Sequence, residues 1–259
     1  MSLLKIENLY LSFGGVEIIH GIDIEVNKGE FVALVGESGS GKSVTALSLM
    51  GLLPLNAEVT EGSIEFDGKE LVGMSPKELD KIRGSEMTMV FQDALTSLNP
   101  VLTIGSQLTE GMRVHMGYTK KQAEERALYL LEKVGLNNER SELKRYPHTL
   151  SGGQRQRVSI AMALACNPKL LIADEPTTAL DVTVQAQIMD LLGKIQKDQR
   201  MSVIFITHDL ALAAHQADKI AVMFQGKIVE FGDAKEVLNN PKHEYTCRLA
   251  EAAEKVRLK

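Results

Sequence analysis

The chain has 259 residues, 44% of them hydrophobic, and a formal net charge of −5; that length buries a substantial core as one large domain with a smaller lobe. The acidic balance and the lack of a long basic run argue against a nucleic-acid partner, no apolar run is long enough to span a bilayer, and the N-terminus carries no signal peptide. Two cysteines, Cys166 and Cys247, are too few for a disulfide framework or a four-thiolate cluster, and the histidines are not at metal-ligand spacing.

From Leu4 to about Asp67, alternating stretches such as Ile22–Val26 and Ser63–Asp67 read as half-exposed strands of an antiparallel lobe. Between them, the unbroken apolar run Phe31–Val35 reads as a buried strand, and Val44–Leu53 reads as a helix. The intervening Gly36-Glu37-Ser38-Gly39-Ser40-Gly41-Lys42-Ser43 matches GxxxxGK[ST] in the strand-loop-helix context that the motif requires, and is a P-loop. Its glycines let backbone N–H groups crowd round phosphates at a helix N-terminus, Lys42 reaches the β and γ phosphates, and the Ser43 hydroxyl is placed to ligate Mg²⁺.

Further along, Ser75-Pro76-Lys77-Glu78 reads as a helix start with Pro at its first position, and Thr119-Lys120-Lys121-Gln122 as a capping box. The latter opens an amphipathic helix with Ala123, Ala127, Leu130, Leu131 and Val134 inward, stopped at Gly135. Leu150-Ser151-Gly152-Gly153-Gln154 precedes a helical run, Arg155–Leu164, with Ser151 as N-cap and Gln154 at N3. That local reading leaves the two glycines unexplained, since Gly in a first helical turn costs about 1 kcal/mol against Ala; a closely approaching anion explains them. Leu170–Asp174 followed by Glu175 reads as a buried parallel strand ending in two carboxylates, Asp174 for Mg²⁺ and Glu175 as the base that polarises an attacking water.

Together these motifs resemble the ATP-binding cassette (ABC) transporter ATPase subunits, a likeness that covers essentially the whole chain. The resemblance implies an α/β fold: a P-loop NTPase core of ABC type with an antiparallel β lobe and an inserted α-helical subdomain. The expected division is a single nucleotide-binding domain over 1–259, with the helical subdomain over about 95–147 and a short C-terminal extension over about 236–259. It further implies that Gln92 is the Q-loop glutamine, which contacts Mg²⁺ and senses the transmembrane partner, and that His208, after the strand-like run Val203–Ile206, contacts the γ-phosphate. Asp181 falls on the loop that communicates across an ATPase dimer, and Ser151 and Gly153 on signature residues that serve ATP held by the opposite subunit. For the adenine, Phe13 is the better match upstream of the P-loop, with Tyr10 close enough to compete.

Two stretches resemble the dipeptide, oligopeptide and nickel importer ATPases: Phe91–Pro100 after the Q-loop and Asn240-Pro241-Lys242-His243-Glu244-Tyr245-Thr246 near the C-terminus. Ala94 and Glu244 stand where that pattern usually has proline, and the short tail leaves peptide versus nickel or metal chelate open. This resemblance implies a peripheral ATPase on the cytoplasmic face of the membrane, binding ATP and Mg²⁺. Its implied partners are a second ATPase, a paralogue rather than a second copy, two permease subunits and, through them, a solute-binding protein. An exporter engine is the alternative, but the stretch before the signature lacks the Thr-Glu-Val-Gly-like element of that class. A soluble ABC ATPase usually has two cassettes or a coiled-coil insertion, and neither is present.

Overall fold

Apolar residues at every second position fix the first sheet. In the computed structural model, which describes residues 1–92, 97–177 and 181–257, strand β1 (Ser2–Phe13) pairs antiparallel with β2 (Val16–Asn27) on one side and with β4 (Ala57–Phe66) on the other. On β2, Ile22, Ile24 and Val26 are buried while Asp23 and Glu25 face water, as the alternation predicts. The expected strand Ser63–Asp67 stops one residue early, because Asp67 takes φ 46° and turns the chain into β5 (Lys69–Glu70). The chain divides into two units, residues 1–79 with 195–259 and residues 80–194, and this sheet belongs to the first.

Strand β3 (Phe31–Val35) lies between β1–β2 and β4 in sequence and is buried at all five positions. An element buried on both faces needs a continuous apolar run rather than an alternating one. It leads through the P-loop into helix α1 (Lys42–Leu49), which starts two residues before and ends four residues before the expected Val44–Leu53. Gly51, at φ 57°, ends it: Leu52 N–H returns to Leu47 C=O at 2.9 Å, a closure that needs a left-handed residue just past the helix. Helix α2 (Pro76–Leu79) is a single turn begun by Ser75, as expected.

The second unit contains β6 (Met87–Val90), helices α3 (Ile104–His115), α4 (Lys120–Lys133) and α5 (Gly152–Ala163), and β7 (Leu170–Asp174), which runs parallel to β6. Both bonds of the Thr119–Gln122 capping box are present on α4, whose expected inward residues are all buried. Loops and helices here are tied by polar side chains. Gln107 of α3 is buried and accepts Asn99 N–H at 2.8 Å while donating to the carbonyls of Asn99 (3.0 Å) and Leu102 (3.1 Å). Arg157 of α5 donates to Val134 C=O at the end of α4 (2.7 Å), satisfying a carbonyl that the helix leaves open. Helix α6 (Val182–Gln199) follows β7.

The chain then completes the first unit with β8 (Ser202–Thr207), α7 (Leu210–Gln216), β9 (Lys219–Phe224), β10 (Lys227–Asp233), α8 (Ala234–Asn239) and α9 (Glu244–Arg257). Strand β3 runs parallel between β8 and β9, and β10 closes the edge antiparallel to β9. The C-terminal residues Val237, Tyr245 and Ala250 share one buried cluster with Ala33 and Val35 of β3.

Candidate nucleotide site

The P-loop follows a strand whose register the sheet fixes. Gly36 N–H donates to Thr207 C=O at 3.3 Å, so the loop begins beside the end of β8, directly before His208. Gly36 cannot carry a side chain: a Cβ there would lie 2.2 Å from Met223 O. Gly41, at φ 111°, is the residue before α1 and turns the loop into the helix by a conformation that L side chains rarely adopt.

The loop has the features of a phosphate cradle. Among the described residues no acceptor takes the N–H groups of Ser38, Gly39 or Gly41, and a Cβ on Gly39 would meet nothing within 4 Å. Free N–H groups at the start of a helix, with open space before them, suit an anion. Lys42 is 4% exposed, and its ammonium donates to the carbonyls of Gly36 (2.7 Å) and Glu37 (2.8 Å), which curls it back over the loop. Ser43 is exposed one residue on. Among the described residues no group of three or more His, Cys, Asp or Glu side chains could hold a metal. A Mg²⁺ that bridges phosphates takes only one or two protein ligands and needs no such group.

His208 leaves β8 exposed, while its neighbour Asp209 caps α7 by accepting Leu212 N–H at 3.0 Å. Phe13 is 40% exposed near the turn between β1 and β2. Tyr10 is engaged elsewhere: its ring lies over Gly21, where a Cβ would sit 2.7 Å from the phenol oxygen.

In the second unit, β7 delivers Asp174 and Glu175 as read from the sequence. Asp174 is 6% exposed. Glu175 takes φ 43°, a left-handed conformation that swings the chain out of the strand, and accepts a hydrogen bond from Gln92 Nε2 at 3.3 Å. The structure thus joins Gln92, just after β6, with the carboxylate at the end of β7.

The signature sequence begins α5 three residues earlier than the expected helical run Arg155–Leu164, because both bonds of the Ser151–Gln154 capping box form, at 3.2 and 3.0 Å. Gly152 and Gly153 therefore occupy the first helical turn. Gly153 has a packing reason as well, since a Cβ there would lie 3.1 Å from Val184 Cγ1 on α6. Asp181 accepts Val184 N–H at 2.9 Å and so caps α6, a role that sequence reasoning missed although its spacing was visible. Residues 93–96 of the importer-like stretch and Ala179-Leu180 before Asp181 lie outside the described residues.

Comparison with known proteins agrees with this chemistry. The ABC transporter family profile matches residues 19–178. The dipeptide transport ATP-binding protein DppD of Bacillus subtilis (strain 168) is 50% identical over 249 residues, 94% of this chain and 74% of the relative. The oligopeptide transport ATP-binding protein OppD of the same organism is 51% identical over 252 residues, 95% of this chain and 70% of the relative. Among solved structures, cbiO1 from Clostridium perfringens, part of the ABC transporter complex cbiONQ, superposes with a TM-score of 0.80 at 29% identity, covering 99% of both chains. The ATP-binding cassette MJ0796, a dimer in a post-hydrolysis state bound to ADP and Pi, gives a TM-score of 0.79 at 30% identity over 89% of this chain and 98% of that one. The chain belongs to the ABC transporter family, as one of its ATP-binding, ATP-hydrolysing subunits.

Proposed function

We propose that this subunit powers a peptide importer, binding ATP and Mg²⁺ on the cytoplasmic face of the membrane and passing the energy of closure and hydrolysis to separate permease subunits. Peptide is preferred to nickel or a metal chelate because the relatives with about half their residues in common, DppD and OppD, carry out dipeptide and oligopeptide transport. No helix among the described residues is long and apolar enough to cross a membrane, which accords with a pathway built by other chains. The observation that carries the enzymatic reading is the P-loop, with its open N–H groups and a lysine curled over them.

In this reading the open N–H groups of Ser38, Gly39 and Gly41 in the loop Gly36–Ser43, with the Lys42 ammonium, hold the β and γ phosphates, and Phe13 stacks on adenine. Ser43, Asp174 and Gln92 would hold Mg²⁺, which would neutralise charge on the phosphates. Glu175 takes the proton of the attacking water, and His208 steadies the γ-phosphate. Ser151, Gly152, Gly153, Gln154 and Asp181 face the nucleotide of the opposite subunit, so each site needs two ATPases arranged head to tail. A paralogue is the expected partner. The exposed surface at Gln92 receives a short permease helix, and substrate reaches the permease from an extracytoplasmic binding protein. The helical subdomain of about 95–147 and the C-terminal extension of about 236–259 are parts of one nucleotide-binding domain.

Complementation tests this directly. Cells lacking the subunit, supplied with the wild-type chain, should take up a radiolabelled dipeptide or short oligopeptide, and Lys42→Ala should abolish that uptake while the protein accumulates normally. Restored uptake of a nickel chelate with none of peptide would overturn the substrate; full peptide uptake with Lys42→Ala would overturn the role of the P-loop.

A further inference from the structure

The stretch Asn240-Pro241-Lys242-His243-Glu244-Tyr245-Thr246 is far in sequence from every residue given a role above, yet the fold ties it to the P-loop. Its entry is clamped by Glu230 of β10, whose carboxylate accepts Lys242 N–H (3.1 and 3.2 Å) and His243 N–H (3.1 Å). Burial alone would push the Glu230 carboxyl up; the His243 N–H, the Thr246 side chain, and the N–H and charge of Lys242 together bring it below its ordinary value. His243 Nδ1 then accepts Tyr245 N–H at 3.2 Å, and α9 begins.

This anchoring aims one side chain inward. Tyr245 is 1% exposed, and its ring stacks on Phe224 of β9 with centroids 4.2 Å apart. Its phenol oxygen accepts Glu37 N–H at 2.8 Å. That N–H and the Gly36 carbonyl belong to the same rigid peptide plane, and the Gly36 carbonyl is one of the two that hold Lys42 Nζ. Rotating the plane would therefore break the Tyr245 contact and turn away an oxygen that places the ammonium. If the position served packing alone, phenylalanine would fill the same space without burying a hydroxyl that needs a partner.

We propose that Tyr245 is a positioning residue for the nucleotide site: from the C-terminal segment it orients the Gly36–Glu37 peptide plane and, through that plane, the Lys42 ammonium. The inference rests on the reading of Lys42 as the phosphate-binding lysine.

Tyr245→Phe tests it, because the ring and its stack stay and only the acceptor goes. With the isolated subunit, the amide resonance of Glu37 should shift and its hydrogen exchange should quicken, while the affinity for a fluorescent ATP analogue should fall roughly three- to ten-fold, the range set by one hydrogen bond. The thermal midpoint without nucleotide should change little. Lys42→Ala is titrated in parallel. If Lys42→Ala loses binding but Tyr245→Phe keeps wild-type affinity, whether or not its midpoint falls, Tyr245 is merely an anchor and the proposal fails. If Lys42→Ala itself binds normally, the site reading fails first.

Discussion

Gln92 and Glu175 are joined by a hydrogen bond of 3.3 Å from the glutamine amide to the carboxylate. The group that should accept a proton from water is thus held by the residue expected to sense the permease. The two side chains leave parallel neighbouring strands, β6 and β7, and meet beyond their ends.

Glu175→Gln should keep nucleotide binding and lose turnover, since the amide preserves shape but cannot accept the proton. A positioned base contributes about 10²–10⁴ in rate. Phosphate release by the assembled transporter should fall within that range, and the mutant should accumulate as an ATP-stabilised dimer in size-exclusion chromatography. Near-normal hydrolysis with the substitution in both ATPases would remove Glu175 from the role of base.

Gly153→Asp should leave ATP binding by the isolated subunit almost unchanged and block engagement with the partner, because in the proposed shared site it would set a carboxylate against a nucleotide held by the other subunit. Gly153→Ala separates charge from packing: its Cβ would meet Val184 Cγ1 at the same 3.1 Å, so any loss of stability should be common to both variants. Photo-crosslinking with an ATP analogue, resolved by chain, is the measurement. Loss of labelling at this subunit's own P-loop in the folded Gly153→Asp protein would contradict the shared site.

Phe13→Ala should weaken ATP binding by roughly 1–3 kcal/mol, the usual contribution of one aromatic ring stacked on a base. Tyr10→Ala should instead lower the thermal midpoint, because the Tyr10 ring covers Gly21 within the sheet. Isothermal titration and a melting curve on each variant give the comparison, and reversed outcomes would move the adenine to Tyr10.

What the sequence made legible was local. The P-loop, the strand Leu170–Asp174 and the capping boxes at Thr119 and Ser151 are each written in a few adjacent residues, because backbone groups and side chains within one turn satisfy one another. The apolar run to Leu53 hides the end of helix α1, because the stop is set by the left-handed conformation of Gly51 inside that run. The Gln107 clamp on Asn99 and Leu102 gives no periodic signal, since a buried glutamine is apolar in neither pattern nor composition. Tyr245 and Glu37 are 208 residues apart, and it is tertiary packing, with β9 paired beside β3, that makes them neighbours. The resemblance to importer ATPases marked the Tyr245 stretch as a family feature without saying what it touches.

The backbone at Glu175 has φ 43°, a region in which a residue with a Cβ costs roughly 1–2 kcal/mol more than glycine. Selection for folding alone would therefore drift this position toward glycine or asparagine, and a library screened for heat resistance should enrich those residues there. If Glu175 is the base proposed above, thermal robustness and turnover pull in opposite directions at this one residue, and an engineered cassette that becomes hardier by changing it should lose turnover.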